Sequence, residues 1–371
     1  MKEHITHLIE TYAPLSENRK MLHPALLELA YEEGWFKLFV PVAYGGPGKL
    51  LPEILRLEES LAALDGSLAW TVTLCSGAGW FAGFLDPTLA QTLFSDRKVC
   101  FAGSGEVGGI AVKHSNGYTI SGTWRYASGA MHATVFTANC QLQHPNGTSI
   151  LDSNGAPQVL SFILKKEEVT IIPGWSYFGL IATGSHAFEA KAVQVPLNRE
   201  FKINEHIQVN SPGFNYPFLQ LAETTLAVNS AGMAAHFIRL AAIAFRERTG
   251  RKSYTSRQVD FFDHTLAENE HALQTRRTIF YETFDQSWQT LLNSGHIPEE
   301  QLTAVSDASR KLAHTSRKAA DALFPYCGLE AARSETTINR VWRDLHTASQ
   351  HSLLTFEVNA SPPAPDPMHV S

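Results

Sequence analysis

Residues 121–133 read SGTWRYASGAMHA. They end a run, GYTISGTWRY at 117–126, that alternates as a strand does, with successive side chains on opposite faces. The alternation sends Trp124 and Tyr126 to one face, where they read either as a core aromatic pair or as a surface for a ligand. Ser128-Gly129 then breaks the strand. A hydroxyl and free amides at such an exit suit contact with a planar ring. The flanking segments keep the period of two: KVCFAGSG, ATVFTANCQL, QVLSFILKK, VTIIPGW and HAFEAKAVQVP are short β-rich runs separated by turn signals such as PNG and SNG. This spacing predicts a β-domain over 97–210, a small barrel or sandwich, with HPNGTSILDSNGAP as a flexible hairpin loop.

Outward from that domain the period changes. Over 1–96, LLELAYEEGWFKLF, EILRLEESLAAL and TLAQTLF space apolar residues three and four apart, and Asp86-Pro87 forms a cap and first-turn pair. PVAYGGPGK between the first two is a turn, because its glycines and prolines oppose helix. Over 211–360 long helical patterns return, four segments with short connections, which predicts a four-helix bundle. The residues 361–371 carry prolines and read as a flexible tail. The fold class is therefore α+β: an N-terminal helical domain, a central β-barrel or sandwich and a C-terminal helical bundle.

Composition narrows the function. A chain of 371 residues, 44% hydrophobic and with net charge -6, is ordinary globular protein with no attraction to nucleic acid or anionic lipid. Its amino terminus, MKEHITHLIETYAPL, is amphipathic and acidic, unlike a signal peptide. The most apolar window, LAVNSAGMAAHFIRLAAIAF, is interrupted by Asn229, His236 and Arg239 and fits a buried helix, so no membrane partner is expected. Cys75, Cys100, Cys140 and Cys327 lie far apart without a CxxC pair. They read as reduced, buried thiols of a cytoplasmic protein, with no metal site.

GSGEVG, from Gly103 to Gly108, matches a dinucleotide fingerprint but is followed by strand and turn instead of the helix that would hold a pyrophosphate. It reads as a bulge at a sheet edge whose free amides, at Gly103 and Ser104, suit a ligand. In the last helical segment, at about 100° per residue, Arg340, Asp344, Thr347 and His351 fall within an arc of about 60°, opposite Val341, Trp342 and Leu345. That stripe is either a solvated face with an Arg340–Asp344 ion pair or the wall of a cleft in which His351 acts as acid or base. There is no HExxH, GxSxG, Walker A or kinase set.

Together these pieces resemble the acyl-CoA dehydrogenase superfamily over nearly the whole chain. GWFKLFVPVAYGG resembles its amino-terminal motif, NGYTISGTWRYASGAMHA its flavin-facing segment, and GLIATGSHAFEAKAVQVP the close of its β-domain. SGTWRYASGAMHA and INRVWRDLHTASQH are most similar to the flavin-dependent monooxygenases of the fold, including para-hydroxyphenylacetate hydroxylase oxygenase components and dibenzothiophene monooxygenases. The dehydrogenases' "Y-E-G-T" glutamate segment is missing, and His351 lies close to where that glutamate would fall. The resemblance implies a flavin, FAD or FMN, either resident or delivered as diffusible reduced flavin by a separate reductase. It implies Ser128 near flavin N5, backbone at Tyr126 and Ala127 along the ring, and His351 beside the oxygen-reactive C4a position. It further implies a homotetramer or homodimer. Trp80 and Phe84 are expected to line a pocket for a small hydrophobic or aromatic molecule, or else to be core. Departures are Ile181, where the family often has arginine, and the lack of a histidine in DGSLAWTVTLCSGAGWFAGFLD. Two other readings are an acyl-CoA dehydrogenase using Glu357 or Glu223, and a flavin-free binding protein.

Overall fold

The structure, a computed structural model, describes residues 1–356. The expected tail and Glu357 lie outside the described residues. On the amino side run α1 (Glu3–Arg19), α2 (Pro24–Glu32), α3 (Leu51–Ala62), α4 (Gly66–Gly79) and α5 (Pro87–Phe94). The Asp86-Pro87 signal works as read, since Asp86 Oδ1 accepts the Leu89 amide at 2.9 Å. The PVAYGG stretch turns tightly. A Cβ on Gly46 would lie 2.1 Å from the Val40 carbonyl oxygen. Asp65 separates α3 from α4 and caps the latter, its Oδ1 accepting the Leu68 amide at 2.8 Å. Helix α4 has no polar face and is buried nearly throughout, so it runs through the interior as the central strut of the molecule.

The sheet comprises β1 (Phe101–His114), β2 (Gly117–Ala127), β3 (Val135–Gln143), β4 (Val159–Lys165), β5 (Thr170–Ile172), β6 (His186–Pro196) and β7 (Glu200–Phe201). Its order is β5-β6-β2-β1-β3-β4-β7, with β1 and β3 parallel and the other pairs antiparallel. The sheet curls on itself. Tyr118 of β2 meets Phe162 of β4 edge-on at 4.9 Å, and its hydroxyl bonds Glu200 of β7. The enclosed core holds Trp124, Phe136, Phe162 and Phe188. GSGEVG lies inside β1, and the register against β3 shifts between Gly103 and Val107 and again before Gly109, so the glycine run is a bulge as expected.

The bundle is α6 (Phe218–Thr249), α7 (Ser256–Ser294), α8 (Glu299–Leu323) and α9 (Thr337–Ala348), followed by the short α10 (Ser352–Thr355). The apolar window of α6 is 72% buried, which places it in the bundle interior. One contact-connected core runs from Leu55 and Leu68 in the first helices through Phe237 of α6 to Leu312 of α8. The helical regions on either side of the β-domain therefore pack as one body against the sheet. One expectation is corrected. The last segment is not a single helix, because α9 stops at Ala348 and His351 sits outside it as the N-cap of α10.

Candidate active site

At the end of β2 the register against β6 shifts between Trp124 and Ala127. The two aromatics therefore part, contrary to the alternation of the sequence. Trp124 is buried, stacks on Phe188 at 5.0 Å and donates its indole N–H to the Asn139 carbonyl at 2.9 Å. Tyr126 takes φ 64° and turns outward, 47% exposed. An open aromatic surface results, with Trp175 and Tyr177 each 6.4 Å from the Tyr126 ring. Arg125 covers Tyr126 at 5.5 Å and pairs with Glu106 at 2.8 Å, which ties this surface to the β1 bulge. Within that bulge Ser104 Oγ accepts the Glu106 amide at 3.2 Å, and Gly103 has no room for a side chain, since a Cβ would lie 1.9 Å from Thr137 Oγ1.

Ser128 is buried behind the turn. Its Oγ lies 2.8 Å from Ser185 Oγ, Ser185 Oγ lies 2.7 Å from Thr183 Oγ1, and Thr183 donates to the Leu180 carbonyl at 2.8 Å. Each hydroxyl has one proton. With Thr183 donating to Leu180, Ser185 donates to Thr183 and Ser128 to Ser185. Ser128 is left with lone pairs and no proton to offer a ligand. Gly129 closes the turn at φ 78°, its amide bound to the Thr183 carbonyl at 2.8 Å.

The segment 175–185 links this turn to α9. The Leu180 amide donates to Asp344 Oδ1 at 2.6 Å, and a Cβ on Gly179 would lie 2.0 Å from the Arg343 carbonyl oxygen. The Arg340–Asp344 stripe faces inward, not toward solvent: the two residues are 5% and 2% exposed. Arg340 pairs with Asp65 at 3.6 Å and not with Asp344. Burial first, and then the charge of Asp65, push the Asp344 carboxyl up to about 8, so it holds a proton at neutral pH.

His351 caps α10, its Nδ1 accepting the Leu353 amide at 3.3 Å, and its ring lies 6.0 Å from Trp70 of α4. Burial lowers its pKa. The ring is neutral at pH 7, and the occupied Nδ1 leaves the proton on Nε2. Helix α4 connects the two sides of the site: Trp70 meets His351, and Cys75 Sγ meets the Ser128 carbonyl at 3.6 Å.

Trp80 and Phe84 belong to a different neighbourhood, an aromatic cluster with Phe214 and Phe218. Trp80 borders a cleft of about 210 Å³ and Phe84 one of about 520 Å³, and neither cleft is lined by Ser128 or His351. Glu223 is fully buried against Arg310 at 2.6 Å inside the bundle. One group escaped the sequence reading altogether. Cys75, Cys100 and His132 place their ligating atoms within 4.8 Å of one another under the Ser128 turn. The Cys100 thiol and then His132 hold the Cys75 thiol down to about 6 against the effect of burial. No local spacing signals the cluster; only the pairing of α4 with the sheet creates it.

Residues 224–356 match the family model for the acyl-CoA dehydrogenase C-terminal domain. The indole-3-acetate monooxygenase of Acinetobacter baumannii is 24% identical, over 91% of this chain and 85% of that protein. The flavin-dependent monooxygenase oxygenase subunit HsaA of Mycobacterium tuberculosis is 24% identical, over 93% and 88%. The bundle thus carries the acyl-CoA dehydrogenase C-terminal domain, and the chain as a whole is similar to flavin-dependent monooxygenases. The crystal structure of 3-HSA hydroxylase from Rhodococcus sp. RHA1 superposes with a TM-score of 0.85 at 20% identity, covering 95% of this chain and 92% of that one. The flavin of these relatives finds compatible groups here. The exposed ring of Tyr126 beside Trp175 and Tyr177 suits a planar heterocycle, and the acceptor-only Ser128 suits an N–H group at its edge.

Proposed function

We propose that the chain is a flavin-dependent monooxygenase. It takes reduced FAD or FMN from a separate reductase and inserts one atom of O2 into a small hydrophobic or aromatic molecule, the other atom leaving as water. The observation that carries this reading is the polarity of the Ser128–Ser185–Thr183 chain, which ends in an acceptor at Ser128. Bound reduced flavin would supply the two electrons and the oxygen-reactive carbon.

This chain's own residues supply the rest. Ser128 accepts an N–H of the reduced ring, backbone at Tyr126 and Ala127 runs along it, and the β1 bulge at Gly103 and Ser104 offers further polar contacts. The aromatic surface of Tyr126, Trp175 and Tyr177 excludes water from one face. His351, neutral with its proton on Nε2, holds and returns a proton beside the reacting oxygen. Trp80 and Phe84 form the aromatic wall behind the far end of α4. The dehydrogenase alternative gains nothing from Glu223, whose carboxylate is paired with Arg310 within the bundle.

A cytoplasmic homotetramer or homodimer is part of the proposal. Ile243 of α6 with Phe261, Ile279 and Leu292 of α7 are exposed apolar residues that bundle pairing would cover.

The test mixes purified protein and chemically reduced FMN or FAD with oxygenated buffer and a panel of phenols and aromatic acids. Saturable binding of reduced flavin and a hydroxylated product are expected. Reoxidation identical to free flavin, with no bound flavin and no product, would overturn the proposal. Reduction of bound FAD by acyl-CoA thioesters would instead favour the dehydrogenase.

A further inference from the structure

We propose that Cys75, Cys100 and His132 form a zinc-binding site that pins helix α4 to the sheet beneath the Ser128 turn. Three separate segments supply the donors: Cys75 from α4, Cys100 from the residue preceding β1, and His132 from the turn after β2. Their ligating atoms lie within 4.8 Å of one another. Tetrahedral zinc with bonds of about 2.0–2.3 Å sets neighbouring ligand atoms roughly 3.3–3.8 Å apart, so a closure of about 1 Å, within reach of side-chain rotation, completes the set.

The backbone at two of the donors is fixed by the start of the β1–β3 pairing and by the turn after β2. The Thr134 and Val135 amides donate to the Cys100 carbonyl at 2.9 and 3.2 Å, and the Cys100 amide donates to Thr134 Oγ1 at 3.1 Å. The His132 amide is held by the Gly129 carbonyl at 3.0 Å. The side chains at this position have chiefly one another for partners, with the Ser128 carbonyl beside Cys75. Both ring nitrogens of His132 are buried without a well-aligned hydrogen bond, and the ring's interaction is with the Cys75 thiol. A buried imidazole so weakly satisfied between two thiols is unusual, because buried polar groups are ordinarily paired. A metal satisfies one nitrogen directly.

The donor set chooses the metal. Two sulfurs and one imidazole suit a borderline-soft divalent ion. Two thiolates, Zn2+ and a neutral imidazole sum to zero charge, which a buried site requires. Binding releases to solvent the thiol proton that remains, chiefly that of Cys100, which burial holds on the sulfur. The fourth position falls to water or to the Ser128 carbonyl, already 3.6 Å from Cys75 Sγ. The ion acts as a clamp on the turn; no step of oxygenation is assigned to it.

The experiment uses full-length protein purified under reducing conditions without chelator. Elemental analysis is expected to find about one zinc per chain. Chelator-treated protein titrated with Co2+ is expected to give thiolate-to-cobalt charge-transfer absorption that saturates at one equivalent. Cys75→Ser, Cys100→Ser and His132→Gln should each weaken zinc binding at least tenfold, while Cys140→Ser, at a buried thiol in the β-domain core, should leave it unchanged. Circular dichroism checks that each variant folds. Should a variant not fold, Co2+ titration of wild type after thiol alkylation replaces it, and loss of the absorption is expected. Absence of stoichiometric Co2+ binding by reduced wild type would overturn the proposal, as would recovery of a Cys75–Cys100 disulfide as the sole state, or equal binding by all the variants.

Discussion

His351 and His132 are both drawn largely out of water, on opposite sides of α4, and their surroundings differ in one respect. His351 has Nδ1 fixed by the Leu353 amide, so its tautomer is set and its free Nε2 carries a defined proton. His132 has neither nitrogen fixed by an oxygen or a backbone amide and is flanked by sulfur. A histidine whose tautomer is set by a backbone amide is prepared for proton work; one set among thiols has the donor company of a soft metal site. Burial alone therefore does not distinguish the two tasks. The neighbouring groups do.

The largest effect that would break this comparison is on the chemistry. His351→Ala is expected to lower hydroxylated product by about 10²–10⁴-fold, with hydrogen peroxide released in its place and affinity for reduced flavin little changed. Stopped-flow turnover with peroxide quantitation measures this, and normal hydroxylation by the variant would remove His351 from its role.

Next is the turn that separates the two histidines. Gly129 sits at φ 78°, and a Cβ there would lie 2.8 Å from Cys75 Sγ. Gly129→Ala should destabilise the protein by about 1–3 kcal/mol, from strain at a left-handed residue, read by urea denaturation. An unchanged midpoint would mean that the turn relaxes freely.

A titratable carboxyl sharpens the contrast further. Asp344→Ala leaves the buried Leu180 amide without an acceptor and should cost about 1–2 kcal/mol. Asp344→Asn keeps that acceptor. The folded pKa of Asp344, about 8, is above the unfolded value, so its stabilising contribution is complete below the unfolded pKa and is lost as pH rises through 8. Wild type should therefore lose stability across that window at no more than about 1.4 kcal/mol per pH unit, and the Asn variant should lose less. Parallel pH profiles of denaturation midpoints decide the matter.

The smallest effect runs the other way. Burial, aided by Arg239 and Arg340, depresses His236 to about 3. A histidine with a lowered folded pKa contributes stability above the unfolded pKa and loses it as pH falls from about 6.5 toward 3. His236→Gln should flatten that acid limb, and so should His351→Ala to a smaller extent, its pKa being lowered by burial as well. An acid limb unaltered in both variants would mean that neither ring is neutral for the reason given.

Much of the architecture was legible because local rules and tertiary outcome agree. The Asp86-Pro87 cap, the glycine bulge in β1 and the buried α6 all follow from neighbouring residues. The site was legible in part. Ser128 at the strand exit and His351 near α9 were visible as types in a pattern, but their geometry was not. Strict alternation put Tyr126 on one face with Trp124, whereas the register shift against β6 buries Trp124 and turns Tyr126 outward. Helical periodicity put His351 on the Arg340–Asp344 stripe, whereas α9 ends three residues before it. The stripe reads as either a solvated face or a cleft wall, and the sequence does not show that Arg340 pairs with Asp65, from a distant cap, instead of Asp344.

By itself the sequence determined where the chain changes period, from helix to strand and back, because side-chain spacing and turn chemistry act within a few residues. Tertiary structure alone decided which polar groups meet. The acceptor at Ser128, the protonated Asp344 and the cluster of Cys75, Cys100 and His132 arise from contacts between residues tens to hundreds of positions apart. Desolvation and hydrogen-bond polarity at such contacts belong to the packed interior, and no local pattern carries them.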